Sequence, residues 1–222
     1  MNFKFAKRLL AAAMCASIAL TPMTAFATGG SGSSSDFLFF FGGSGSSSSS
    51  SSSSTPAAAA NVQTTGKVTV GGAGITSTVK GGYSVNTLAG FAITSDAGSI
   101  SAAYGLSGSE TPYVMAYDIN AKTAPNAWAC IETTAAAAGA RVIGAINVDL
   151  GKRTGGKFER LPGGAGVRAC IGIPGTVDPN LNYAIIRVVP GSITILPDLD
   201  SNPYTVTFDV VGGIGAYALI AY

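Results

Sequence analysis

Val167-Arg-Ala-Cys-Ile-Gly-Ile173, Tyr183-Ala-Ile-Ile-Arg-Val-Val189, Ser192-Ile-Thr-Ile195, Tyr204-Thr-Val-Thr-Phe-Asp-Val210 and Gly215-Ala-Tyr-Ala-Leu-Ile-Ala-Tyr222 follow one another closely between residues 167 and 222. Each reads as a β-strand, because successive side chains on a strand point to opposite faces. In the fourth segment Tyr204, Val206, Phe208 and Val210 form an apolar set, and Thr205, Thr207 and Asp209 a polar one. That pattern predicts one buried and one wet face. The first segment places Val167, Ala169, Ile171 and Ile173 inward, and Ser192–Ile195 repeats the alternation in miniature. The second and fifth are apolar on both faces and read as central strands. Pro190-Gly191 is a tight-turn dipeptide, and Leu196–Pro203 is a polar loop with two prolines. Short strands at this spacing predict an antiparallel sheet or sandwich.

Upstream, Lys67–Val70 and Ile75–Val79 flank Gly71-Gly-Ala-Gly74 as a predicted hairpin, and Tyr83–Val85 and Phe91–Thr94 are short strands. The glycine loop lacks the Lys-Ser/Thr pair of a phosphate cradle. Ser95–Gly105 predicts a short helix, capped by Ser95 or Asp96 and ended by Gly105. Tyr113–Ile119 is a strand with Tyr113, Met115, Tyr117 and Ile119 on one face; Tyr113, Tyr117 and Trp128 read either as a sugar-stacking platform or, with the better fit to their strand and helix spacing, as core packing. A second helix opens at Pro125 and closes at Gly139, with Trp128, Ile131, Ala135 and Ala138 on one stripe. Arg141–Leu150 returns to strand with Val142, Gly144, Ile146, Val148 and Leu150 on one side. Gly151–Gly156 reads as a hairpin loop into Lys157–Arg160, and Leu161-Pro-Gly-Gly-Ala165 as a further loop. The fold class is therefore mainly β (α+β): an antiparallel β-sandwich-like body with one or two short packed helices. It forms a single domain over residues 61–222, in two intimate halves of about 61–150 and 151–222.

The first 60 residues read differently. Lys4, Lys7 and Arg8 precede the apolar run Leu9–Leu20, and Ala25-Phe-Ala27 supplies small residues at a cleavage position. Residues 1–27 thus read as a secretory signal peptide, with an apolar run shorter than the roughly 20 residues of a spanning helix. Residues 28–60 are a Gly/Ser-rich linker, expected to be disordered because they bury too little apolar surface to offset backbone ordering. Asp36-Phe-Leu-Phe-Phe-Phe41 interrupts them. That island reads either as a docking or self-association peptide for an exposed sheet edge, or as an incidental insertion. Ser46–Ser54 is also open to O-linked sugars.

The run Tyr183-Ala-Ile-Ile-Arg-Val, then Leu196-Pro-Asp-Leu-Asp, Thr205-Val-Thr-Phe and Tyr217-Ala-Leu-Ile-Ala-Tyr, resembles a C-terminal module of secreted and cell-surface proteins of Gram-positive gut bacteria. Gly81-Gly-Tyr-Ser, Gly90-Phe-Ala-Ile-Thr94 and Val142–Asp149 are similar to the same group. The resemblance implies a secreted or cell-surface setting and carries no site residues.

Removing Lys4, Lys7 and Arg8 with the leader leaves ten basic residues against 11 acidic ones, a net of about −1. A near-neutral chain lacks the basic footprint of a nucleic-acid binder. Histidine is absent, which removes the Ser-His-Asp arrangement and the usual general base near neutral pH. No cofactor or metal motif is present. Asp198-x-Asp200-x-Asn202 begins like a calcium loop, but Pro203 stands where that turn needs glycine. The three side chains are expected to satisfy their own turn. Cys130 and Cys170 leave two readings open, a disulfide or two small buried apolar residues. Lys152, Arg153, Lys157 and Arg160 concentrate positive charge on one hairpin. They are either a patch for an anionic wall polymer or glycan, or solvated charges that guard a sheet edge. The expected function is a secreted or cell-wall-associated, non-enzymatic domain with a structural or adhesive role. The alternative is a carbohydrate- or wall-polymer-binding module, recognisable by exposed aromatics beside that hairpin. A small carboxylate-dependent glycoside hydrolase is a remote third. Expected partners are a wall polymer, a host or bacterial glycan, or a protein; no stable membrane span is expected once the leader is cleaved.

Overall fold

The computed structural model describes residues 62–222. The expected signal peptide, linker and Phe37–Phe41 island lie outside the described residues. Strand accounts for 53% of those residues and helix for 12%, so the fold is mainly β, with two helices and a sandwich-like arrangement of sheets.

The elements in order are β1 (Gln63–Val70), β2 (Ala73–Ser84), β3 (Phe91–Ile93), α1 (Ala97–Ala103), β4 (Glu110–Ile119), α2 (Pro125–Ala137), β5 (Arg141–Thr154), β6 (Lys157–Arg160), β7 (Val167–Gly172), β8 (Tyr183–Val189), β9 (Ser192–Pro197), β10 (Thr205–Val210) and β11 (Gly213–Ala221). The larger sheet runs β1-β2-β4-β5-β11-β8-β9, with β6 also paired to β5; the smaller runs β10-β7-β3. Both sheets mix strands from either side of residue 150, and β5 itself crosses that point. All strand pairs are antiparallel except β2 with β4. β8 and β11 are central, as their apolar composition requires.

The main core lies between the two sheets. Tyr217, Leu219, Ile146, Val148, Leu150, Val114 and Ile185 from the large sheet meet Phe91, Ile93, Val167, Ala169, Ile171, Val206, Phe208 and Val210 from the small one. The Phe208 and Tyr217 rings join the layers at 5.5 Å. The Tyr217 hydroxyl accepts from Val211 N at 3.2 Å, and burial pushes its pKa up to about 12. A second core lies on the other face of the large sheet, where α2 packs Ala127, Ile131 and Ala135 on Ile119, Ala145, Ile186, Ala218 and Ile220. Pro125 opens this helix and Gly139, at φ 63°, follows it. Cys130 lies on this helix side, whereas Cys170 is buried with Val68 and Ala92 beside the small sheet; both are free thiols.

β1 and β2 fold over from the large sheet onto the small one. Val68 of β1 bridges to Gly90, which sits at φ 99° where a Cβ would run into the Lys67 carbonyl oxygen. Asp96 caps α1 by accepting from Ser99 N at 3.0 Å.

Several sequence expectations change. On β4 Pro112, Val114 and Ala116 are buried on the face opposite to the expected one; of the expected face only Ile119 is buried, while Tyr117 is exposed and Tyr113 and Met115 are half-buried. Val142 leaves the side shared by Gly144, Ile146 and Val148. A bulge pairs Leu219 with Gly144 but Ile220 with Val142, which turns Val142 to the helix side. Tyr204 precedes its strand and is exposed, whereas Thr205 and Thr207 are buried because residues 198–200 fold against β10. On α2, Ala127 replaces Trp128 and Ala138 in the buried stripe. The hairpin loop predicted over 151–156 is only Gly155-Gly156, with φ 54° and 90°; Gly151–Thr154 continue β5.

Candidate functional site

Directly paired residues of antiparallel strands project from the same face. The helix face of the large sheet therefore continues past Ile119 and Ala145 through Tyr117 and Asn147, Met115 and Asp149, and Tyr113 and Gly151, to Arg160 of β6. The α2 core reaches Ile119 and Ala145 but includes none of these. Among the described residues no helix or second sheet packs over this half of the sheet.

Two structures occupy it. In the first, Asp149 is 2% exposed and accepts from Arg160 Nε at 2.8 Å. The Arg160 side chain is 42% exposed, so its remaining donors face solvent. Asp149 Oδ1 and Asn147 Nδ2 are buried with no hydrogen-bond partner among the described residues. Burial pushes the Asp149 carboxyl above the usual carboxylate range, and Arg160 offsets this only in part. Burial also raises the Tyr117 hydroxyl, with the Asp149 charge adding and Arg160 opposing. Tyr117 is 43% exposed and so presents ring surface beside the ion pair.

In the second, the Arg153 guanidinium lies 5.3 Å from the centre of the Tyr113 ring, a cation–π stack. Phe158 meets Tyr113 edge-on at 6.0 Å. Phe158 also lies across Gly151, where a Cβ would collide with its ring and with the Glu159 carbonyl. Glycine here is a steric requirement of the stack, not of backbone conformation.

The four basic residues predicted as one patch do not form one. Strand pairing sends Arg153 and Arg160 to the helix-side face and Lys152 and Lys157 to the opposite one. Lys152 forms ion pairs with Glu110 and, at 3.5 Å, with Glu159. Three carboxylates, Glu110, Asp149 and Glu159, thus stand among the four cations. Tyr113 and Tyr117, expected in the core, belong to the site instead. Asn147 and Asp149 were missed, although polar residues at alternate positions of the otherwise apolar run Val142–Leu150 were a signal for them. Trp128 lines a different depression of about 380 Å³ with Glu132, Ala135, Ala136, Ala140 and Val142.

The Asp198–Asn202 loop behaves as its turn chemistry predicts. Asp198 Oδ1 accepts from Asp200 N and Thr207 N, Asp200 Oδ1 from Asn202 N, and Asn202 Oδ1 from Tyr204 N. Among the described residues no group of three or more His, Cys, Asp or Glu side chains is placed to hold a metal ion, and no helix is long and apolar enough to cross a membrane. The helix-side face thus offers guanidinium donors, aromatic surface and a buried polar pair. No protein family, curated protein or solved structure matches the chain.

Proposed function

We propose that this is an exported, non-catalytic binding module that holds an acidic polysaccharide, such as a wall polymer or a uronic-acid glycan, on the uncovered helix-side face of its large sheet. The observation that carries the reading is the pairing of two exposed arginines with two tyrosines on that face: Arg153 over Tyr113, and Arg160 beside Tyr117. Aromatic rings offer an apolar surface for sugar rings, and a guanidinium donates in a fork matched to carboxylate or phosphate. Asp149 fixes Arg160 by one edge and leaves the other for a ligand. Export is supported by the sequence of residues 1–27. The same face serves a structural or adhesive role if the polymer belongs to a wall or a neighbouring cell.

The test is retention of the chain by a uronic-acid polysaccharide against a neutral one of similar size, with R153A and R160Q. A charge-assisted hydrogen bond contributes about 1.5–3 kcal/mol, so each change is expected to weaken binding by about 10- to 100-fold, and added salt to weaken it further. Equal retention by the neutral polymer, or retention untouched by the double replacement, refutes the reading.

A further inference from the structure

The large sheet ends on one side in a strand with none of the usual protection. Among the described residues β9 pairs only with β8, and its free edge carries no lysine, arginine, aspartate or glutamate; Pro197 at its end is the single blunting residue. Val189 and Ser192 flank the Pro190-Gly191 turn, which makes them a hydrogen-bonded pair. The alternate positions Ile193 and Ile195 then direct their N–H and C=O groups outward. No loop or other element among the described residues hydrogen-bonds to them. Their side chains are also exposed, by 41% and 42%. An uncharged free edge with two exposed isoleucines is a template for another strand. The opposite edge differs: β1 carries Lys67 and two register shifts, and it folds over the small sheet.

We propose that β9 is a strand-acceptor site, and that its occupant is the Phe37–Phe41 segment of the same chain. The segment Phe37-Leu-Phe-Phe-Phe41 is uncharged, one residue shorter than the six-residue β9, and rich in residues of high strand propensity. Its alternation places Phe37, Phe39 and Phe41 on one face of the sheet and Leu38 and Phe40 on the other, so both faces gain apolar contact.

The connecting length suits docking within one molecule. β1, where the described chain starts, and β9 are the two ends of the sheet, six strand spacings apart. At about 4.8 Å per spacing that is about 29 Å. Gly42–Asn61 has 20 residues, and a chain of that length spans at most about 66–72 Å, more than this path along the sheet plus one further spacing for the occupant. The connection is therefore long enough for Phe37–Phe41 to reach β9 of its own molecule.

The test is amide hydrogen exchange at Ile193 and Ile195 in the full chain and in F39D/F41D. The intact chain is expected to exchange these two amides about tenfold or more slowly than the variant, as a paired strand does relative to a bare edge. I193K, at an exposed position, is expected to speed chymotryptic cleavage within Phe37–Phe41 by a similar factor while the rest of the sheet keeps its protection. Equal exchange in intact and variant chains overturns the proposal. Protection that rises with protein concentration, together with larger species in sedimentation, assigns the edge to a second copy and overturns it also.

Discussion

Asp149→Asn is the most informative single replacement, because burial and ion pairing pull the same carboxylate in opposite directions. Asp149 is 2% exposed, its Oδ1 has no partner among the described residues, and its one ion partner there is 42% exposed. An unsatisfied buried polar atom costs about 1–3 kcal/mol, and more when the group is charged. A pair whose cation remains half in water returns only about 0.2–1 kcal/mol. Asparagine keeps the shape and still accepts from Arg160 through its carbonyl oxygen; its Nδ2 takes the unpartnered place of Oδ1, so what the replacement removes is the added cost of desolvating a charge. Neutralisation is therefore expected to stabilise the fold by about 1 kcal/mol at pH 7, which for a domain of this size is about 2–4 °C in Tm. The sign with pH follows from the direction of the shift. A carboxyl raised above its unfolded pKa favours the fold fully below that unfolded value, and the benefit is lost as pH rises through the folded value. Wild type and D149N should thus differ most at neutral pH and converge as the solution is acidified through the Asp149 titration. Denaturant unfolding of both chains between pH 3 and pH 8 measures this. A variant less stable than wild type at pH 7, by a margin that shrinks on acidification, would show that Arg160 outweighs burial and would refute the reasoning.

Gly90→Ala places a Cβ against the Lys67 carbonyl at φ 99°; since this is the point where β1 bridges to Gly90, the loss is expected to exceed about 3 kcal/mol, read as a lowered denaturant midpoint or failure to recover soluble protein. Glu110 is held down to about 2 by its hydrogen bond to Lys152 and by the Ser107 amide. Its contribution is present above the unfolded carboxylate pKa and fades as pH falls toward about 2, so Glu110→Gln should be less stable than wild type at neutral pH and converge with it on acidification, which flattens the acid limb of the stability–pH curve measured by denaturant unfolding.

Strand positions and central strands were legible because composition alone reports them: β8 and β11 are apolar on both faces, and β7 buries Val167, Ala169 and Ile171 as its alternation requires. Which face points inward was not legible on β4. Both its sets are largely apolar, and the closer approach of the small sheet selects Val114 and Ala116 over the larger Tyr113 and Tyr117. Thr205 and Thr207 look solvent-facing until residues 198–200 are seen folding against them. The parallel pairing of β2 with β4 depends on a crossover through β3 and α1, in the other sheet, and no local pattern encodes it. The site was half-readable. The basic residues were found, but reading Gly151–Thr154 as loop hid the alternation that divides them; Gly155-Gly156 suffices for the turn and carries the signal for a longer β5.

The central position of β11 also orders the assembly of the molecule in time. β5 and β8 are both made before the strand that separates them, and β11 lies about 70 residues beyond β5 in the chain. Until β11 slots in, the widest sheet is two flaps with a gap at its midline, and the Tyr217–Phe208 clasp between layers is missing. Such long-range closure is slow, in the millisecond-to-second range of β-topologies. A chain of this design therefore cannot close its larger sheet before β11 has been made.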